Sequence, residues 1–151
     1  MLRILGVGIA VAALAAAQQR IGTVNAETPE GALLQQIGTE ADDAKKMPLL
    51  EKFAAEHAKH EGYGWVLAQI QAMHVKAGQH DKALEIGEKL AAHDPNDLDA
   101  VHLNLKSAEA RKDPDAVKKW AAATSAVALK VAASAKPQDE DEAETWKQRV
   151  D

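Results

Sequence analysis

An all-α fold of antiparallel helix pairs is predicted by three features of the sequence. Apolar residues recur three and four apart within runs of good helix formers. Glycine, proline and Asp/Asn pairs punctuate those runs at short intervals. Marks of the same kind return after 34 residues, as from Pro29 to Tyr63 and from Leu33 to Leu67.

The chain opens with Met1-Leu2-Arg3 and an uncharged apolar stretch from Ile4 to Ala17. Fourteen such residues are short for a membrane span, which needs about 20. Behind a basic start they fit the core of an export signal. Small residues allow cleavage after Ala17 or after Ala26, so residues 1–26 are assigned to a signal peptide. The protein is then expected to be exported, periplasmic or secreted.

Residues 28–61 form the first expected pair. Thr28 is the N-cap, Pro29 the first helical residue, and Glu30 lies in the positive first turn. Leu33, Leu34 and Ile37 give one apolar side. The helix ends at Gly38 or runs on to about Asp42. Leu49, Leu50, Phe53 and His57 space a second amphipathic helix. Pro48 fits best in its first turn, whereas a start at Asp43 places the proline inside.

Residues 63–96 form the clearest pair. Trp65, Val66, Ala68, Ile70, Ala72, Met73 and Val75 are apolar, with polar residues between them. Gly78 marks a helix C-terminus, because glycine takes a left-handed conformation at little cost. A second run starts at Asp81, with Ala83, Leu84, Ile86, Gly87, Leu90 and Ala91 on its apolar side. Asp94-Pro95-Asn96-Asp97 ends it and offers the next cap.

Residues 97–135 form the third pair, capped by Asn96 or Asp97. Leu98, Val101, Leu105 and Ala108 line one side of its first helix, and Leu103 and Ala110 another. Asp113-Pro114 restarts the chain as cap and first helical residue. Ala116, Trp120 and Ala123 repeat the contact spacing to about Ala135. Pro137 ends that helix. Residues 138–151 carry six acids with Trp146 and Val150. They read as an acidic C-terminal helix, either a cap or the start of a further repeat.

The order of marks in residues 63–96 resembles the tetratricopeptide repeat, a helix–turn–helix unit of about 34 residues. Leu67 and Ile70, Gly78, Ala83 and Asp94-Pro95-Asn96 carry the resemblance. The sequence departs from the pattern at Gln71, where the family has a small residue, and at His74 and Gly87, where it has aromatics. Trp120 supplies in the next unit the aromatic that Gly87 lacks. The resemblance implies a short right-handed solenoid of stacked pairs. It also implies a concave surface, lined by the first helices, that seats a peptide or protein. By register that surface comprises Trp65, Ala68, Ala72, Val75, Lys76, Leu98, Val101, Leu105 and Ala108. The same apolar residues also suit packing against a neighbouring helix pair.

Composition narrows the function classes. Eighteen bases against 23 acids give a net charge of −5. Removal of Arg3 and Arg20 with the first 26 residues leaves 16 bases against 23 acids. That balance disfavours nucleic acid and anionic membrane surfaces. Cysteine is absent, which excludes disulfides, thiol chemistry and lipidation at a lipoprotein cysteine. After signal cleavage no stable membrane insertion is expected.

No catalytic constellation is legible, and no cofactor is implied. His57-Ala58-Lys59-His60-Glu61 is neither HExxH nor HxxEH. The acidic pairs lie in turns or charged stretches, not in apolar surroundings. Ser107, Ser125 and Ser134 lack a nucleophile elbow, and the Gly62-Tyr63-Gly64 stretch is no phosphate loop. The expectation is a non-catalytic adaptor or scaffold of the cell envelope. Two alternatives stand beside it: a metal or small-ligand binder using histidines, and the N-terminal repeat domain of a larger enzyme or secretion component.

Overall fold

A computed structural model describes residues 24–134, all of whose regular structure is helical. The expected signal core and the acidic segment 138–151 lie outside the described residues. Six helices follow one another: α1 (Pro29–Thr39), α2 (Asp43–Glu56), α3 (Tyr63–Lys76), α4 (His80–His93), α5 (Leu98–Ala110) and α6 (Pro114–Ser134). The chain divides into two compact units, with the boundary between Met73 and His74 inside α3.

In the N-terminal unit, α1 packs against α2. Thr28 caps α1 by accepting the Gly31 N–H at 3.1 Å, and Pro29 follows as the first helical residue. Asp42 caps α2 through the Ala44 N–H at 2.9 Å. Leu34, Ile37, Leu50, Phe53, Val66, Leu67 and Ile70 are buried.

Pro48 is placed inside α2, not in its first turn. An interior proline costs roughly 3 kcal/mol, because it removes one helix hydrogen bond and its ring crowds the carbonyl four residues back. Here the carbonyl it strands belongs to Ala44, and both residues are exposed. Water can satisfy that group, and the Asp42 cap offsets about 1 kcal/mol of the remainder.

In the C-terminal unit, α5 packs against both α4 and α6. Short connections make each contact pair antiparallel. Leu84, Val101, Ala108, Trp120 and Val127 form the core cluster. The Lys119 ammonium lies 4.6 Å from the centroid of the Trp120 ring and pairs with Glu88 at 2.7 Å.

The turns after α3 and α5 are built alike. Gly78 has φ +70 and Lys112 has φ +55. In the first turn, the Gly78 N–H donates to the Val75 carbonyl at 3.0 Å and the Gln79 N–H to His74 at 2.9 Å. In the second, Lys112 donates to Glu109 at 2.9 Å and Asp113 to Ala108 at 3.2 Å. Both are Schellman closures, which satisfy carbonyls that a helix end would otherwise orphan. Lys112 stands 34 residues after Gly78, and the helix starts His80 and Pro114 keep the same interval.

Two positions shift in this frame. Counted from the helix start, Trp120 corresponds to Ile86, and Ala121 to Gly87. The α1–α2 turn also comes three residues early in the interval. From its helix start Phe53 therefore corresponds to the buried Leu90.

The paired turns generate a matched prediction. No atom lies within 4 Å of a Cβ added to Gly78, so Gly78→Ala incurs backbone strain alone. It should lower stability by about 1 kcal/mol. Lys112→Gly should raise stability by up to about 1 kcal/mol, because a left-handed lysine is relieved. Urea unfolding of the two variants checks the opposite signs.

Candidate interaction surface

The nine residues assigned to the surface divide between the units and between exposure classes. Trp65, Ala68 and Ala72 belong to the N-terminal unit, and the other six to the C-terminal unit. Along α3, Trp65, Ala68 and Val75 are half-buried, while Ala72 and Lys76 are exposed. The Trp65 indole N–H is sealed from solvent and meets no acceptor among the described residues. On α5, Leu98 and Leu105 are half-buried at the edge of the core cluster.

Val101 and Ala108 are interior residues, 3% and 0% exposed. They belong to the cluster with Leu84 and Trp120, because α5 is covered by α4 and by α6. A side chain so enclosed has no area left to offer a partner. The other covered side of α5 carries Ala100, Asn104 and Ser107, in place of the expected Leu103 and Ala110. Leu103 is half-buried and Ala110 exposed. A hydropathy pattern passes over Asn104 and Ser107 because both are polar.

A cleft of about 150 Å³ lies in the N-terminal unit, between the start of α1 and the loop before α3. Asn25, Thr28, Glu30, Gly31, His60 and Glu61 are among its lining residues. The Asn25 carbonyl accepts the Thr28 N–H at 3.2 Å and the Thr28 hydroxyl at 3.1 Å. A Cβ on Gly31 would collide with that carbonyl. The glycine is therefore what lets residues 25–28 lie over the start of α1. On the other wall, His60 Nδ1 accepts the Gly62 N–H at 2.9 Å. A neutral ring in this bond carries its proton on Nε2. The His57 and His60 rings both meet Phe53, at centroid distances of 5.0 and 5.4 Å.

Glu30 is held below the usual glutamate range, chiefly by its own backbone N–H and further by the nearby His57 and His60. No three histidine, cysteine or acidic side chains converge as metal ligands among the described residues. No helix among them is long and apolar enough to cross a membrane. The cleft went unread in the sequence because it joins residues 25–31 to residues 60–61 by tertiary packing.

No protein-family model, curated protein or solved structure matches the chain.

Gly31→Ala should destabilise the protein by about 1–3 kcal/mol, the usual cost of overpacking with backbone shift. Chemical unfolding measures this, and unchanged stability would remove the Asn25 contact. The lowered Glu30 value has a definite sign. Its stabilisation is present above the unfolded-state value and is lost as pH falls through the lower folded-state value. Glu30→Gln should therefore flatten the loss of stability below about pH 4.3. Thermal melting across pH 2–6 would show it.

Proposed function

We propose that this chain is a non-catalytic adaptor, built from tetratricopeptide-like helix pairs and exported to the cell envelope or beyond. In this reading the pairs stack as a short right-handed solenoid. A peptide or protein is held along the water-facing side of the first helices. The observation that carries the reading is the repeated turn: Gly78 and Lys112 share φ sign and both hydrogen bonds at a 34-residue interval. Buried Leu33, Leu67 and Val101 recur at that interval as well.

The seat narrows to the side chains that water reaches. Trp65, Ala68, Ala72, Val75 and Lys76 follow one another at three- and four-residue steps, apart from the adjacent Val75 and Lys76. Alanine at 68 and 72 leaves room for a partner backbone to approach α3. A half-buried tryptophan at one end and a lysine at the other combine an apolar anchor with a polar edge. With a net charge of −5, a neutral or basic partner fits better than an acidic one.

The test is capture of partners from an envelope extract by the whole protein and by an Ala72→Arg variant. Ala72 is exposed, so the larger side chain leaves the core intact while obstructing the seat. The expected outcome is a partner retained by the unaltered protein and weakened at least tenfold by the substitution. Equal capture by both proteins would remove α3 as the seat.

A further inference from the structure

We propose that His60 is an acid-sensitive latch on the entry to α3. When its ring gains a proton, it releases the Gly62 N–H and turns into the cleft toward Glu30. Every group involved belongs to the N-terminal unit, so the latch is independent of whether α3 seats a partner.

One hydrogen bond sets the requirement. His60 Nδ1 accepts the Gly62 N–H at 2.9 Å, so that nitrogen must keep its lone pair. An imidazolium carries N–H on both ring nitrogens and can only donate. Protonation would therefore set one N–H against another. Histidine is the side chain that changes charge near neutral pH, ordinarily around pH 6.5.

Gly62 has little room to yield. It is buried, and a Cβ on it would lie 3.1 Å from Leu34 Cδ1 and 3.2 Å from His60 Nδ1. Its backbone also supports the first turn of α3, since its carbonyl accepts the Val66 N–H at 3.0 Å. The His60 carbonyl accepts the Tyr63 N–H at 3.0 Å beside it. A buried N–H that loses its acceptor is unfavourable, so the charged ring leaves and the turn loosens.

The ring has a place to go. It lines the cleft of about 150 Å³ that also carries Glu30 and Glu61. The charged and titratable groups around it are Glu30 on α1, Lys59 and Glu61 in the loop, and His57. His57 shares Phe53 with His60 and lies 3.9 Å from Glu56. Apart from the Tyr63 phenol, α3 adds no titratable group before His74. The two cleft carboxylates attract an imidazolium, whereas the Gly62 N–H repels it. The neutral ring thus belongs with Gly62 and the charged ring with Glu30.

The experiment follows the isotope-labelled full chain by NMR between about pH 5 and pH 8. Backbone amides, histidine rings and ring-to-side-chain contacts are read together. On acidification the Gly62 amide proton should move upfield with the midpoint of the His60 ring. The Val66 amide should move with it, and contacts between the ring and Glu30 should appear. In His60→Asn the side-chain oxygen accepts an N–H two residues on and takes up no proton, so the Gly62 amide should stay in place. In His57→Asn the Gly62 transition should persist. A Gly62 amide indifferent to pH while the His60 ring titrates overturns the latch. So does a Gly62 transition that disappears in His57→Asn, or a His60 ring still neutral at the acid limit. A ring that gains its proton yet keeps its place beside Gly62 overturns it as well. Should His60→Asn fail to fold, the unaltered chain and His57→Asn decide, because each reports ring and amide in one titration.

Discussion

A helix that reverses within three residues must satisfy its last carbonyls before the next helix begins. At the ends of α3 and α5 this is met by one left-handed residue and two inward-directed N–H groups. Gly78 adopts that conformation without strain. Lys112 adopts it against an intrinsic cost of about 1–2 kcal/mol. Arg111 helps to hold this turn, with its guanidinium 2.8 Å from Asp81 and 3.9 Å from Asp113. Asp113 then acts twice, closing α5 through its N–H and capping α6 through its carboxylate at 3.0 Å. In the corresponding place, the Gln79 side chain instead reaches back to the buried His74 at 2.8 Å.

Once α5 and α6 are fixed antiparallel by that turn, the apolar side of α5 has a single use. Val101 and Ala108 face Leu84, Trp120 and Val127, and water is excluded from them. Water still reaches Ala72 and Lys76 on α3, whereas Leu98 and Leu105 on α5 are half-covered. The N-terminal unit meets a different constraint, that of holding the segment that leads into α1. Residues 25–28 are tied down by hydrogen bonds to one another and by close approach to Gly31. Phe53, fully buried, supports the facing wall through contacts with two histidine rings.

Features governed by adjacent residues were legible in the sequence. Thr28, Asp97 and Asp113 cap the helices expected of them, since an oxygen on a short side chain reaches an N–H two or three residues on. Gly78 ends α3 because its freedom is intrinsic. Pro48 was expected in a first turn, whereas the Asp42 cap starts the helix five residues earlier and the exposed Ala44 carbonyl leaves water access to the group that the proline strands. The turn at Lys112 was hidden because lysine rarely takes positive φ, and only the closed hairpin imposes it.

The sequence by itself determined that this chain is helical, where its helices start and stop to within a few residues, and which side of each is apolar. Those properties follow from capping chemistry and three- and four-residue spacing, both read over a single turn of helix. Tertiary structure alone decided which apolar side becomes interior, and so withdrew Val101 and Ala108 from any surface. It also brought Asn25 and Gly31 together with His60, about thirty residues further along the sequence. Such proximity is created by packing between helices, a property of the folded chain that no single segment carries.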